Sequence, residues 1–154
     1  RHQVDITGLI GQYAHGNEPS HHISHMYNFA GQPWKTQEIT DKIMNDLYFN
    51  NPNGLAGNED CGQMSAWYVL NAIGFYSFNP GNPTYSIGRP IFDEVEINLP
   101  SGKKFTIKAK NNNKKNKYIQ SYKLNGKALQ TPFFTHSELT SGGTLEFVMG
   151  NLPK

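Results

Sequence analysis

Three glycine-flanked stretches hold the residues whose types and spacing could do chemistry. Gly16-Asn17-Glu18-Pro19-Ser20-His21-His22 combines an amide, a carboxylate and two imidazoles. Gly31-Gln32-Pro33-Trp34-Lys35-Thr36-Gln37 adds an indole and a cation. Gly54-Leu55-Ala56-Gly57-Asn58-Glu59-Asp60-Cys61-Gly62-Gln63 brings two adjacent acids and the single cysteine. Both acidic clusters, Glu18 and Glu59/Asp60, stand just before an expected helix start, where the macrodipole favours a charged carboxylate. Taken singly, such acids need be no more than caps. Two such loops with a tryptophan-bearing loop between them point further. An indole face and several amides suit a sugar, with its apolar C–H faces and many hydroxyls.

His21 and His25 are four apart, the spacing that sets two imidazoles on one helical face for a metal. A zinc-peptidase signature needs glutamate directly after the first histidine, and His22 stands there. Packing or hydrogen bonding explains the pair better. A hard, oxygen-seeking ion such as Ca²⁺ fits Asn17, Glu18 and Asp60, although no dense acidic run of the calcium-loop kind is present. Cys61 beside Asp60 invites a Cys–His nucleophile, yet a thiol opening a buried helix is more often a small packed side chain.

The elements that must position these loops divide into two halves. Residues 1–90 hold four basic and seven acidic residues, a net of −3; residues 91–154 hold ten lysines and five acids, a net of +5. Charge and periodicity change together near Gly88–Pro90. In the first half, 19–30 reads as a helix opened by Pro19 and closed by Gly31. Thr36 is the expected N-cap of a second, with Ile39, Ile43, Met44, Leu47 and Tyr48 as its apolar stripe and Gln37, Glu38, Asp41, Lys42 and Asp46 toward water. A third, from about Gly62 to Ile73, is apolar nearly all round and so expected to be buried between layers. In the second half, Val95/Ile97 and Phe105/Ile107/Ala109 alternate with polar residues, Asn125-Gly126 signals a hairpin, and Thr144 to Met149 makes a last strand. The expected fold is α+β: stacked helical hairpins over 1–88, then a small antiparallel β unit over 89–154.

Composition bounds the rest. The 154 residues are 36% hydrophobic and 17% charged, which fits one domain or two small units and excludes disorder. No apolar run approaches the ~20 residues of a membrane-spanning helix, so membrane insertion is not expected. A net charge of +2 implies no nucleic-acid partner. Lys114, Lys115 and Lys117 read as a solvated loop, since no aromatic stacking platform accompanies them. The chain opens on Arg1 rather than methionine, and the expectation is a piece of something longer.

The loop motifs resemble glycoside hydrolase family 92. They are Gly16 to His22, Tyr27 to Gln37, and Gly57 to Tyr68; the likeness continues through Gly74-Phe75-Tyr76, Tyr85-Ser86-Ile87-Gly88, Tyr118-Ile119-Gln120-Ser121, Leu124-Asn125-Gly126 and Met149-Gly150. The departures are Phe29, Ser77-Phe78, Arg89 and Asn58, the last standing where some members carry an acid. The resemblance implies a calcium-dependent, inverting exo-α-mannosidase, many of whose relatives favour α-1,2 linkages. It implies an N-terminal β-sandwich and a toroid of six α-helical hairpins, of which this chain would be the last helices plus the closing strands. It assigns the general base to Asp60, with Glu59 as second candidate. It brings Asn17, Glu18 and His21 forward as substrate-binding residues, with Asn17 and Glu18 as calcium ligands; the tryptophan-bearing loop adds Trp34 and Lys35 to the expected substrate-binding set. The general acid would lie upstream, so this chain alone would be inactive. The implied partners are a mannose-containing glycan and the N-terminal part of the same protein, and the implied place is secreted, periplasmic or on the cell surface. Two readings compete: a non-catalytic carbohydrate-binding or interaction module, and a zinc hydrolase built on His21 and His25.

Overall fold

Pro33 opens the longest helix, where its missing N–H is an orphan donor in any case. This helix starts three residues before the expected Thr36 cap. Thr36 lies buried within it, and Thr40 Oγ1 bonds back to the Thr36 carbonyl at 2.8 Å. In this computed structural model, which describes residues 6–154, the helices are α1 (Met26–Phe29), α2 (Pro33–Asp46), α3 (Gln63–Ile73) and α4 (His136–Thr140). The apolar stripe of α2 packs as expected: Ile43 and Met44 join Trp67, Ala72 and Tyr76 in one core cluster. Gln37, expected to face water, is 1% exposed. Its Oε1 accepts the Ile119 amide at 2.8 Å, so a helix side chain fills a place in the strand's hydrogen bonding.

The continuous helix expected over 19–30 is instead two 3-10 turns, Glu18–Ser20 and Ile23–His25, followed by α1. The tight i→i+3 bonds run from His21 N to Glu18 O and from His25 N to His22 O. Buried polar side chains impose this winding. His21, Ser24, His25 and Asn28 all turn inward, and each needs a specific partner there. Helix α3 forms where expected, between Gly62 and Gly74, both left-handed. It is less enclosed than its composition suggests: Met64, Trp67, Asn71 and Ala72 are buried, whereas Ser65, Ala66 and Val69 are open.

The strands are β1 (Leu9–Ile10), β2 (Tyr13–Ala14), β3 (Phe75–Tyr76), β4 (Thr84–Ile87), β5 (Glu94–Asn98), β6 (Lys104–Lys110), β7 (Tyr118–Leu124), β8 (Lys127–Ala128), β9 (Phe133–Thr135) and β10 (Gly143–Gly150). Five of them make a sheet in the order β5-β6-β10-β7-β8. Asn125 and Gly126, both at positive φ, turn β7 into β8. The sheet is mixed rather than wholly antiparallel, because β10 runs parallel to β6. After β8 the chain leaves the sheet through β9 and α4, whose Thr135/Glu138 capping box is complete. It then returns between β6 and β7, and that route fixes its direction. Phe105, Ile107, Leu145 and Phe147 alternate into the second core cluster. A smaller sheet, β3-β4-β9, pairs strands from both sides of the Gly88–Pro90 step, with Tyr85 opposite Phe134. No helix among the described residues is long and apolar enough to cross a membrane.

Candidate active site

Two loops bring the acids together. A Cβ on Gly16 would meet Thr7 Oγ1 at 1.9 Å and the Ala56 carbonyl at 2.9 Å. Only glycine lets the backbone ahead of Glu18 approach the backbone ahead of Glu59 this closely. The second loop then turns through three left-handed residues, Asp60 (φ 51), Cys61 (φ 57) and Gly62 (φ 95). Left-handed geometry at two non-glycine residues costs about 1–2 kcal/mol each. That local strain sits where the carboxylates meet.

The two neighbouring acids of this loop have different surroundings. Glu59 Oε1 accepts the Ser65 amide at 3.1 Å, and its carbonyl accepts Met64 N at 3.3 Å, so Glu59 caps helix α3. Asp60 is exposed and stands against Glu18. The hydrogen bond between these carboxyls pushes Asp60 above the ordinary aspartate range, with desolvation and the Glu18 charge adding to it. The helix-terminus argument in the sequence points the other way. Here an adjacent carboxyl outweighs the dipole. Glu18 Oε1 and Glu59 Oε2 are buried without a hydrogen-bond partner. Asn17 sits beside this pair and reaches Ser20 Oγ at 3.5 Å.

His21 and His25 do not converge. His21 is 2% exposed; Nε2 donates to the His15 carbonyl at 2.9 Å and Nδ1 accepts from Gln63 at 3.1 Å. His25 Nε2 bonds Asn71 Oδ1 at 2.8 Å and Nδ1 bonds Ser86 Oγ at 2.9 Å. With all four nitrogens engaged, neither ring is free for zinc, and His21 offers no free nitrogen to a sugar hydroxyl. Among the described residues, no three His, Cys, Asp or Glu side chains gather closely enough to hold a metal ion. The chain's own fit to calcium is therefore partial: Glu18 with its lone oxygen, and Asp60 beside it. Cys61 is exposed rather than packed, because the left-handed turn faces outward before the helix begins.

Glu18 and His21 line one hollow of about 360 Å³ together with Gln63, Trp67 and Tyr76. Trp34 lines a different one, of about 750 Å³, against Phe29, Tyr122 and Phe133. Lys35 is exposed, its ammonium 5.7 Å from the Tyr27 ring centroid. The tryptophan loop and the acid loops thus face separate cavities. Sequence reading missed Tyr13 and His15 and took Tyr48 only as part of an apolar stripe; His15 bonds both tyrosine hydroxyls behind the acid loops. Tyr48 and His15 lie 33 positions apart, and no local pattern announces such a pair.

The chain belongs to glycosyl hydrolase family 92: residues 1–151 match its catalytic domain. It is 41% identical to a family 92 α-mannosidase of Bacteroides thetaiotaomicron, with a TM-score of 0.91 over 97% of this chain and 20% of that one. The mannoimidazole complex of that enzyme gives a TM-score of 0.92 at the same identity and coverage. A family 92 inverting mannosidase from Bacteroides thetaiotaomicron VPI-5482 is 45% identical, with a TM-score of 0.86 over 93% of this chain and 19% of that one. A curated relative from Arthroderma benhamiae, named an uncharacterized secreted glycosidase, is 34% identical over 138 residues, 88% of this chain and 18% of that protein. The chain thus spans about a fifth of the length of these relatives.

Proposed function

We propose that this chain contributes the general base and part of the sugar site to a longer, inverting exo-α-mannosidase. What supports the reading is the close approach of the Glu18 and Asp60 loops at Gly16, beside a buried Glu18 oxygen that lacks a partner. An inverting hydrolase needs one carboxylate to activate water on one face of the sugar and an acid on the other, about 6.5–9.5 Å away. Asp60 is solvent-exposed and unencumbered by helix capping, so it takes the role of base; Glu59, held by the Ser65 amide, does not. Glu18 and Asn17 hold sugar hydroxyls or the ion. When bound, calcium supplies a fixed positive charge with open positions for oxygen ligands. Glu18, with its lone buried oxygen, and Asn17 would hold it, which would leave Asp60 free to act as the base.

In this reading the helical residues are the last part of an α/α toroid, and the open Ser65, Ala66 and Val69 face of α3 meets the remainder of the polypeptide. The substrate is an α-mannoside, α-1,2-linked in N-glycans or mannans, and the enzyme works outside the cytoplasm; the secreted Arthroderma relative supports that placement. Asp60→Asn in the full-length protein tests the reading, with folding checked by thermal unfolding. Turnover of α-1,2-mannobiose should fall by roughly 10²–10⁴-fold. Undiminished turnover in a folded Asp60→Asn protein overturns the assignment and moves the role to Glu59 or Glu18.

A further inference from the structure

His15 is fully buried, yet every polar atom it has is engaged. Tyr48 donates its hydroxyl hydrogen to the Met64 carbonyl at 2.9 Å, so its oxygen accepts from His15 Nε2–H at 2.6 Å. His15 Nδ1 then accepts the Tyr13 hydroxyl at 2.7 Å. This assigns the neutral Nε2–H tautomer from the network around it. Burial and the nearby His21 push the His15 ring down to about 3, which keeps it neutral. The main chain is held as well. His15 N donates to Gly8 O at 3.1 Å, and His15 O accepts from His21 Nε2 at 2.9 Å.

These bonds bracket the two acids. Glu18 lies three residues after His15 and three before His21, whose rings stack at 4.6 Å. From His15, one route passes through Tyr48 to Met64; a second passes through His21 to Gln63. A third joins the His21 carbonyl to Trp67 Nε1 at 3.1 Å. All three end on the first turns of α3, the helix that follows Asp60 directly.

We propose that His15 is a positioning residue of the active site, clamping the Glu18 loop onto the start of α3 so that Glu18 and Asp60 stand face to face. It acts through Tyr48 and His21 and is not itself a catalytic residue. The inference rests on the hydrolase function proposed above, and it identifies what holds the acids in register.

The test uses the full-length protein. Tyr48→Phe removes one hydroxyl and keeps the ring that stacks on Trp67. It should lower kcat by about tenfold to a hundredfold with KM little changed, as a misplaced reactive group does. His15→Leu should do the same. His15→Gln, whose amide can still donate toward Tyr48, should recover most of the loss. Ile107→Val, in the other core cluster, serves as the stability control and should leave kcat unchanged. Wild-type kcat in both Tyr48→Phe and His15→Leu overturns the clamp, as does an equal kcat loss in Ile107→Val. Hydrogen–deuterium exchange over residues 57–66 reads the clamp without activity: faster exchange in Tyr48→Phe supports it, and unchanged exchange overturns it. If the wild-type protein hydrolyses no mannoside, the proposed function fails while the exchange result still decides the clamp.

Discussion

His25 donates from Nε2 to Asn71 Oδ1 at 2.8 Å, while its Nδ1 faces the Ser86 hydroxyl at 2.9 Å. Asn28 donates to the same Ser86 oxygen at 2.7 Å, so that hydroxyl hydrogen goes to His25. Asn71 is tied in turn to the Trp67 carbonyl at 2.9 Å. One buried imidazole therefore links the 3-10 turns, helix α3 and strand β4. Replacing Asn71 by Leu strands the His25 N–H in the interior. The loss should be about 1–3 kcal/mol of stability, the desolvation penalty of an unsatisfied buried donor. Urea unfolding of the Asn71→Leu protein measures it.

The same ring makes stability depend on pH. Burial pushes His25 down to about 4 from an ordinary 6.5, against the opposing effect of its Asn71 bond. Between those values the unfolded chain binds a proton that the folded chain refuses, so unfolding takes up protons and stability rises with pH. Stability is complete above about 6.5 and falls progressively as pH drops toward 4, by about 3 kcal/mol for this group. Unfolding midpoints from pH 7 to 4.5 should show the decline. A flat profile contradicts a buried neutral His25.

Arg89 fastens helix α2 to the loop after β6. Its side chain is 8% exposed, with Nε 3.2 Å from Asp41 Oδ1 in an ion pair not aligned as a hydrogen bond, and its NH2 group on the Asn113 carbonyl at 3.3 Å. Asp41→Ala leaves the guanidinium buried without its counter-charge and should cost up to about 3 kcal/mol. Adding Arg89→Met should recover much of that loss. An additive double variant denies the coupling.

Chelation should abolish activity of the full-length protein, and Ca²⁺ should restore it better than Zn²⁺. The lone Glu18 oxygen and the Asn17 amide oxygen are hard donors, whereas both imidazoles that could favour zinc are committed elsewhere. Rescue by zinc alone would return the His21/His25 pair to consideration.

What could be read from sequence follows the range of the interaction. Helix α3, the stripe of α2, the Asn125-Gly126 hairpin and the alternating strands all rest on local periodicity, and they stand where expected. The departures come from partners far along the chain. Gln37 is polar and yet buried, because its acceptor is used by Ile119, 82 positions away. Residues 18–25 wind as 3-10 turns because His21 and His25 answer to Gln63 and Asn71, and Asn28 in the short helix that follows answers to Ser86. Two-residue strands such as Phe75–Tyr76 carry too little periodicity to be seen. Of the site, the acid loops were legible as motifs. Their contact was not, and neither was the separation of Trp34 from them, since both depend on how the loops fold back.

The chain by itself should not hydrolyse mannosides. Inversion requires a proton donor far enough from the base to leave room for water, about 6.5–9.5 Å. Glu18 cannot be that donor to Asp60, because the two carboxyls are in hydrogen-bond contact. Glu59 is turned back on its own helix by the Ser65 amide. Asp41 serves Arg89, Asp46 pairs with Lys42, and Glu38 accepts from Tyr118, so the other acids of α2 are engaged away from the acid loops. An activated water would then attack a sugar whose leaving group nothing protonates. The open face of α3, with Val69 55% exposed, should also promote self-association of the isolated chain. Assaying the isolated chain against α-1,2-mannobiose, beside the full-length protein at equal molarity, decides the matter. Turnover by the isolated chain at a rate near that of the full-length protein would place a working acid within these 154 residues and overturn its assignment elsewhere.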